Sequence, residues 1–210
     1  MDLIIGNLRI EKVHSTRFLG VEIEDKLNWW NHTKFVERKL SSAIFVIRSL
    51  RYKINRTTAL KLYDTLVLPY LLYCNIIWGN THKTYALNIC RLQKRALKLC
   101  HGRNLLAHEN LFFVTNKLPF HNIHKLQTSL MVFQYFNNLP TLPNCIATLF
   151  TKTSEVHKFH TRSADGLCLH THLAKTHSRK SSIKIYAPLL WNKLPIEIRR
   201  LNAQRLLKKL

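Results

Sequence analysis

The stretch FLGVEIEDKLNWWNH, residues 18–32, decides how this chain reads. Leu19, Val21 and Ile23 alternate with Phe18, Gly20 and Glu22, the period of two that sends successive side chains to opposite faces of a strand. Within that pattern Gly20 either leaves room for close approach of another backbone or marks a bulge. Three acids, Glu22, Glu24 and Asp25, end the strand, and from Asn28 the period turns helical. A sheet edge therefore gives way to helices near residue 27.

Upstream, LIIGNLRIEKV (residues 3–13) predicts two short strands joined by Gly6 and Asn7, residues that tolerate the positive φ of a tight turn. Downstream, Val36, Leu40, Ala43, Ile47 and Leu50 form an apolar helical stripe, with Lys34, Arg38, Ser41 and Arg48 on the opposite side. Asn55 or Thr57 caps a second helix to about Leu68, which Pro69 breaks or kinks. A third helix is expected from about Thr84 to Cys100, closed near Gly102 by an αL cap. Its apolar face is Tyr85, Ile89, Leu92, Ala96 and Leu99, and its far side carries Arg91, Lys94, Lys98 and His101 as one basic stripe.

Two further amphipathic helices, AHENLFFVTNKL (107–118) and FHNIHKLQTSLMVFQYFNN (120–138), are separated by Pro119, and NNLPTLPN (137–144) breaks the pattern. Residues 152–182, rich in Ser, Thr, His and Lys, read as a long basic loop or a loosely strand-forming segment. IYAPLLWNKLPIEIRRLNAQRLLKKL (185–210) reads as a short apolar turn and then a helix opening at Pro195. The expected fold class is mainly α. A short N-terminal β-hairpin or strand unit (1–27) precedes a helical bundle (28–138), and a loosely structured basic extension (139–210) ends in a helix.

Lys and Arg number 33 against 11 Asp and Glu, a net charge of +22 and a pI near 10.2. Residues 1–37 hold 5 basic and 6 acidic side chains, so the remainder holds 28 and 5. Such a remainder should seek polyanions. Hydrophobic residues at 46% suffice for a core in one or two small domains. LVLPYLLYCNIIW (66–78), interrupted by Pro69 and Asn75, is too short to span a bilayer and reads as core. The N-terminus has neither the basic flank nor the cleavage site of a signal peptide, and five scattered cysteines fit a reducing compartment. The expected location is intracellular, nuclear or cytoplasmic, and not secreted.

Other chemistry is weakly supported. Glu22 and Glu24 share a strand face, yet a solvated strand end explains them better than a metal site. Cys168, His170, His172 and His177 lie close together, but their spacing fits neither a zinc knuckle nor a finger. No cysteine has the context of a thiol enzyme's nucleophile. Of Trp29, Trp30, Tyr63, Tyr70, Tyr73 and Trp78, aromatic residues able to stack on bases, at least four are expected in the core.

Five segments in order resemble the C-terminal part of jockey-like non-LTR retrotransposon reverse transcriptases. They are FLGVEIEDKLNW (18–29), LYDTLVLPYLLYCNIIWGN (62–80), LQKRALKL (92–99), HTRS (160–163) and APLLWNKLPIEIR (187–199). The resemblance implies that FLGV belongs to the hairpin that ends the palm and supports the primer, and that the helices are similar to a thumb gripping template and primer. It also implies Mg²⁺ on paired palm aspartates in the full-length polymerase. This sequence has no Asp-Asp pair, so the expectation is a truncated copy or fragment, inactive alone and without its own cofactor. RNA and DNA are the expected partners, with no membrane and no small-molecule substrate. The candidate contacts are Lys34, Arg38, Arg48, Arg91, Lys94 and Lys98. The alternative is a basic helical interaction module, without enzymatic ancestry, that binds nucleic acid or protein.

Overall fold

The computed structural model describes residues 3–5, 8–102, 110–140, 142–156, 159 and 166–201, with side chains from Glu11 onward except that of His177. It is mainly helical and divides into two compact units, Met1–Ile123 and His124–Leu210. The HTRS segment, Gly6 and Asn7 lie outside the described residues.

The first unit opens with two antiparallel hairpins. Strands β1 (Leu3–Ile5) and β2 (Leu8–Ile10) pair with Ile5 opposite Leu8. Strands β3 (Ser15–Phe18) and β4 (Val21–Glu24) pair with Phe18 opposite Val21. The second hairpin corrects the single strand expected across residues 18–25. Leu19 and Gly20, at φ 46° and 81°, form the two-residue turn that reverses the chain. No backbone packs on Gly20; the nearest neighbour of a Cβ added there would be the Tyr73 ring, at 3.6 Å. The Tyr73 hydroxyl donates to the Leu19 carbonyl at 2.5 Å and pins the turn.

Helix α1 (Trp30–Leu50) begins where the acids end. Trp29 caps it at φ 64° without a side-chain bond. The Glu24 carboxylate supplies that bond from β4, accepting from the Asn31 amide, a favourable charge for a helix N-terminus. The buried face of α1 runs through Val36, Leu40, Ala43, Ile44 and Ile47, the expected stripe with Ile44 added and Leu50 only half-buried. Helix α2 (Arg56–Leu66) is capped by Asn55, whose side chain accepts from the Thr58 amide at 2.8 Å. The chain then steps through α3 (Leu68–Leu72), with Pro69 in its first turn, and α4 (Asn75–Trp78). Pro69 ends α2 because it lacks a donor and crowds the preceding turn. Of the six aromatic residues, Tyr63 and Trp78 are buried and Trp29 and Tyr70 pack against the core, whereas Trp30 and Tyr73 are exposed.

Helix α5 (Lys83–His101) packs along α1 and α2. Its buried residues are Ile89, Gln93, Ala96, Leu97 and Cys100, while Tyr85, Leu92 and Leu99 are only half-buried. At 100° per residue the buried seam is rotated by roughly 70° from the expected apolar face. Gln93 makes the difference. Its amide nitrogen donates to the Tyr63 hydroxyl at 2.9 Å and to the Leu118 carbonyl at 2.8 Å, and its oxygen accepts from the Phe120 amide at 2.9 Å. Burial of a polar side chain is inexpensive when its hydrogen bonds are made. Gly102 closes α5 at φ 91° and ψ −168°, which is not the expected αL cap but an extended conformation open to glycine. The segment expected as an amphipathic helix over 107–118 yields, among its described residues, one turn, α6 (Leu111–Val114). Asn110 starts that turn by capping the Phe112 amide.

Helix α7 (Phe120–Phe136) gives its first turn to the first unit and the rest to the second. The second unit continues with α8 (Asn144–Ala147), α9 (Thr153–Val156), α10 (His177–Ser181), α11 (Ile183–Asn192) and α12 (Ile196–Arg199). The segment expected as loop or loose strand contains, among its described residues, one bridge, Lys152 to Leu169, and two short helices, α9 and α10. The expected apolar turn at 185–192 is instead helical: α11 accommodates Pro188 and buries Ile185, Ala187 and Trp191. Trp191 stacks on Phe136 at 5.3 Å. Pro195 caps α12, a single turn within the described residues.

The Gln93 network should dominate the stability of the first unit. Gln93→Ala strands a buried hydroxyl and amide and a part-buried carbonyl, and is expected to cost about 2–4 kcal/mol, with Tyr63→Phe costing about 1 kcal/mol. Urea unfolding checks this. An unchanged Gln93→Ala midpoint would show that the network adds nothing.

Candidate nucleic-acid interface

The arrangement of α1, α2 and α5 gathers cations from three elements. The ring of His32, near the start of α1, meets Trp78, just before α5, edge-on at 4.9 Å. Arg48, in the last turn of α1, shares a cleft with Lys98, in the last turn of α5. The two helices therefore run parallel, and their C-terminal ends meet the N-terminal end of α2. The cleft there, about 510 Å³, is lined by Arg48, Arg51, Arg56, Arg95 and Lys98 together with Tyr52. Among the described residues no carboxylate lines it.

The six expected contacts divide into three groups. Arg91, Lys94 and Lys98 are exposed on one side of α5, opposite the buried seam. Arg91 donates to the Asn88 side chain at 3.3 Å, and the Lys94 ammonium lies 5.9 Å from the Phe112 ring centre. Arg48 joins this group through the cleft it shares with Lys98. Lys34 lies 14 residues earlier on α1, about 21 Å along the axis, and pairs with Glu37 at 2.8 Å. Its charge is thereby largely compensated. Arg38 is exposed between them.

Arg51, Arg56 and Arg95 were not among the expected contacts. The signal for two of them lies in RSLRYKINR (48–56), where cations bracket the link between two helices. Arg95 was hidden because the expected basic stripe was stepped from Arg91 through Lys94 to Lys98. On the true orientation of α5, Arg95 belongs to the same arc.

A second concavity of about 400 Å³, lined by Arg17, Gly20, His32, Phe35, Val36, Pro69, Tyr70 and Tyr73, lies between the β3–β4 hairpin and helices α1 and α3. Arg17 stacks over Phe35 at 4.9 Å. His32 is buried, its Nδ1 accepting from the Glu22 amide at 3.4 Å. Desolvation, aided by the Arg17 guanidinium, pushes its pKa down to about 4, so the imidazole is neutral near pH 7.

The other candidate chemistries find structural employment. Glu24 caps α1, and a hydrogen bond from His14 at 3.2 Å holds the Asp25 carboxyl below its ordinary pKa. In the second unit Cys168 Sγ accepts from Arg199 at 2.7 Å, and the His170 and His172 rings meet edge-on at 4.9 Å. Among the described residues no group of three or more His, Cys, Asp or Glu side chains is placed to hold a metal ion. No helix among them is long and apolar enough to cross a membrane. No protein-family model matches the chain, and neither a curated protein nor a solved structure matches it.

The buried imidazole sets a pH dependence. Its folded pKa lies below the unfolded value of 6.5, so its contribution is intact above pH 6.5 and is lost as pH falls toward 4. At about 1.4 kcal/mol per unit, the loss approaches 3 kcal/mol. His32→Asn, which keeps an acceptor for the Glu22 amide, should flatten stability against pH between 6.5 and 4. Denaturant midpoints across that range decide it, and parallel curves for the two proteins would remove His32 as the cause.

Proposed function

We propose that this chain binds RNA and DNA through the exposed basic side of α5, as the thumb-type part of a non-LTR retrotransposon reverse transcriptase that does not catalyse polymerisation by itself. The observation that carries the proposal is the orientation of α5. Its neutral seam is buried through Gln93, and Arg91, Lys94 and Lys98 are left on the solvent side with no carboxylate partner among the described residues. Solvent-facing charge alone is ordinary. An uncompensated row on a chain of net charge +22 is an electrostatic footprint for phosphate. The order of the five family-like segments supports the polymerase ancestry, as does the β3–β4 hairpin set against the first turns of α1. Mg²⁺ belongs to the parent polymerase's palm aspartates, and the compartment that suits these partners is the nucleus or cytoplasm. A basic helical module of other ancestry would share the binding face; an upstream reading frame encoding a palm with paired aspartates would separate the two.

Arg91, Lys94 and Lys98, each reversed to Glu, should weaken binding to unrelated oligonucleotides alike, because phosphate contacts do not read sequence. The slope of log affinity against log salt should fall by about 2. Fluorescence anisotropy at several salt concentrations measures both. Unchanged affinity and slope, with unaltered circular dichroism, would reduce the row to a solvated face. Purified protein with Mg²⁺ or Mn²⁺ should extend no primer; measurable nucleotide incorporation would contradict the proposed lack of catalysis.

A further inference from the structure

The cleft at the meeting of α1, α2 and α5 asks for an explanation that helix stability does not provide. Arg48 and Lys98 lie in the last turns of α1 and α5, where a cation complements the helix dipole. Arg56 does the opposite. It occupies the first position of α2, where the dipole disfavours positive charge, and the first turn of that helix holds no acid to offset it. Arg95 projects into the same space from α5, and Arg51 from the link between α1 and α2. Ion pairs among the described residues use His14, Lys34, Lys117 and Lys152, and none uses a cleft cation. Five like charges thus share one concavity of about 510 Å³ with no carboxylate among the described residues that line it. Their mutual repulsion is relieved when an anion enters.

The lip of the cleft narrows the class of anion. Tyr52 is 75% exposed there, and the Arg51 guanidinium stacks on its ring at 4.2 Å. A basic groove beside an exposed aromatic ring suits single-stranded nucleic acid, whose phosphates run along the cations while a base stacks on the ring. Arginine forks also match paired phosphate oxygens better than lysine does.

We infer that this cleft is a site for consecutive phosphates, filled by a single strand whose base stacks at Tyr52. The inference rests on the nucleic-acid reading of the chain but names a subsite distinct from the Arg91–Lys94 row. Free polyphosphate offers the same chemistry as a strand, so both serve as probes.

The test uses the full chain, a labelled 12-nucleotide oligothymidylate and inorganic tripolyphosphate. In Arg51→Gln/Arg56→Gln/Arg95→Gln, oligonucleotide affinity near 0.1 M salt should fall about tenfold or more, and the salt slope by about 2, from three lost contacts at about 0.7 each. Tripolyphosphate binding, read by calorimetry, should be lost with it. Tyr52→Leu should weaken the oligonucleotide severalfold and leave tripolyphosphate unchanged, the signature of stacking. Loss of tripolyphosphate binding alone supports the phosphate site and gives it a free polyphosphate in place of a strand. Should the wild type bind no oligonucleotide while the cleft variant still loses tripolyphosphate, the nucleic-acid reading fails and the phosphate site stands. Oligonucleotide and tripolyphosphate binding both unchanged in a folded triple variant would overturn the inference. If the triple variant does not fold, Arg95→Gln alone decides by the same two readouts.

Discussion

One neutral amide fixes the geometry on which the rest depends. Gln93 is fully buried and holds Tyr63 of α2, the Leu118 carbonyl and the Phe120 amide at once. Those bonds set the rotation of α5 about its own axis, because any other rotation would leave buried polar groups unpaired. Once that rotation is set, residues 91, 94, 95 and 98 have nowhere to point but outward. The packing and the exposed basic row are consequences of the same choice. The apolar contacts alone would not specify it: Tyr85, Leu92 and Leu99 make an equally apolar stripe on the helix flank, and burying that stripe instead would turn the basic arc by roughly 70°.

The second constraint is the parallel run of α1 and α5. Two helices joined by a short link run antiparallel, and α2 obeys that rule; α3 and α4 then return the chain to the start of α1, so α5 rises beside it. Three helix ends meet as a result, bringing Arg48, Arg51 and Arg56 beside Arg95 and Lys98 although about 40 positions separate the two groups. At the opposite end Glu24 caps α1 and His32 packs edge-on against Trp78, with the Arg17 guanidinium over the neighbouring Phe35 ring. Five cations crowd one end of the bundle while the other carries both signs, in keeping with the charge asymmetry between residues 1–37 and the rest.

Much of this was legible in the sequence wherever a local rule decided it. The stripe of α1, the Asn55 cap and the break at Pro69 follow from periodicity, side-chain capping and a missing donor. The failures share a cause, in that a nonlocal contact overrode the local signal. Leu19 at φ 46° is an unusual turn residue, and the Tyr73 hydroxyl holding its carbonyl comes from 54 positions away. The expected apolar face of α5 omits Gln93, which Tyr63 and Phe120 hold in the core. The apolar run at 185–192 reads as a turn, yet it forms α11, which carries Pro188 within it and packs Trp191 on Phe136. In the site, Arg91, Lys94 and Lys98 were visible as a helical row, whereas a cleft assembled from three elements has no linear signature.

The central claim is that orientation of α5, not charge in general, determines where nucleic acid lies. Lysine footprinting measures this most directly: brief acetylation of the full chain with and without a single-stranded oligonucleotide, followed by mass spectrometry of each lysine. The account predicts protection concentrated at Lys94 and Lys98, with Lys61, Lys83 and Lys125 modified at the same rate in both samples. Equal protection at all five, as expected if net charge alone held the strand, would contradict it.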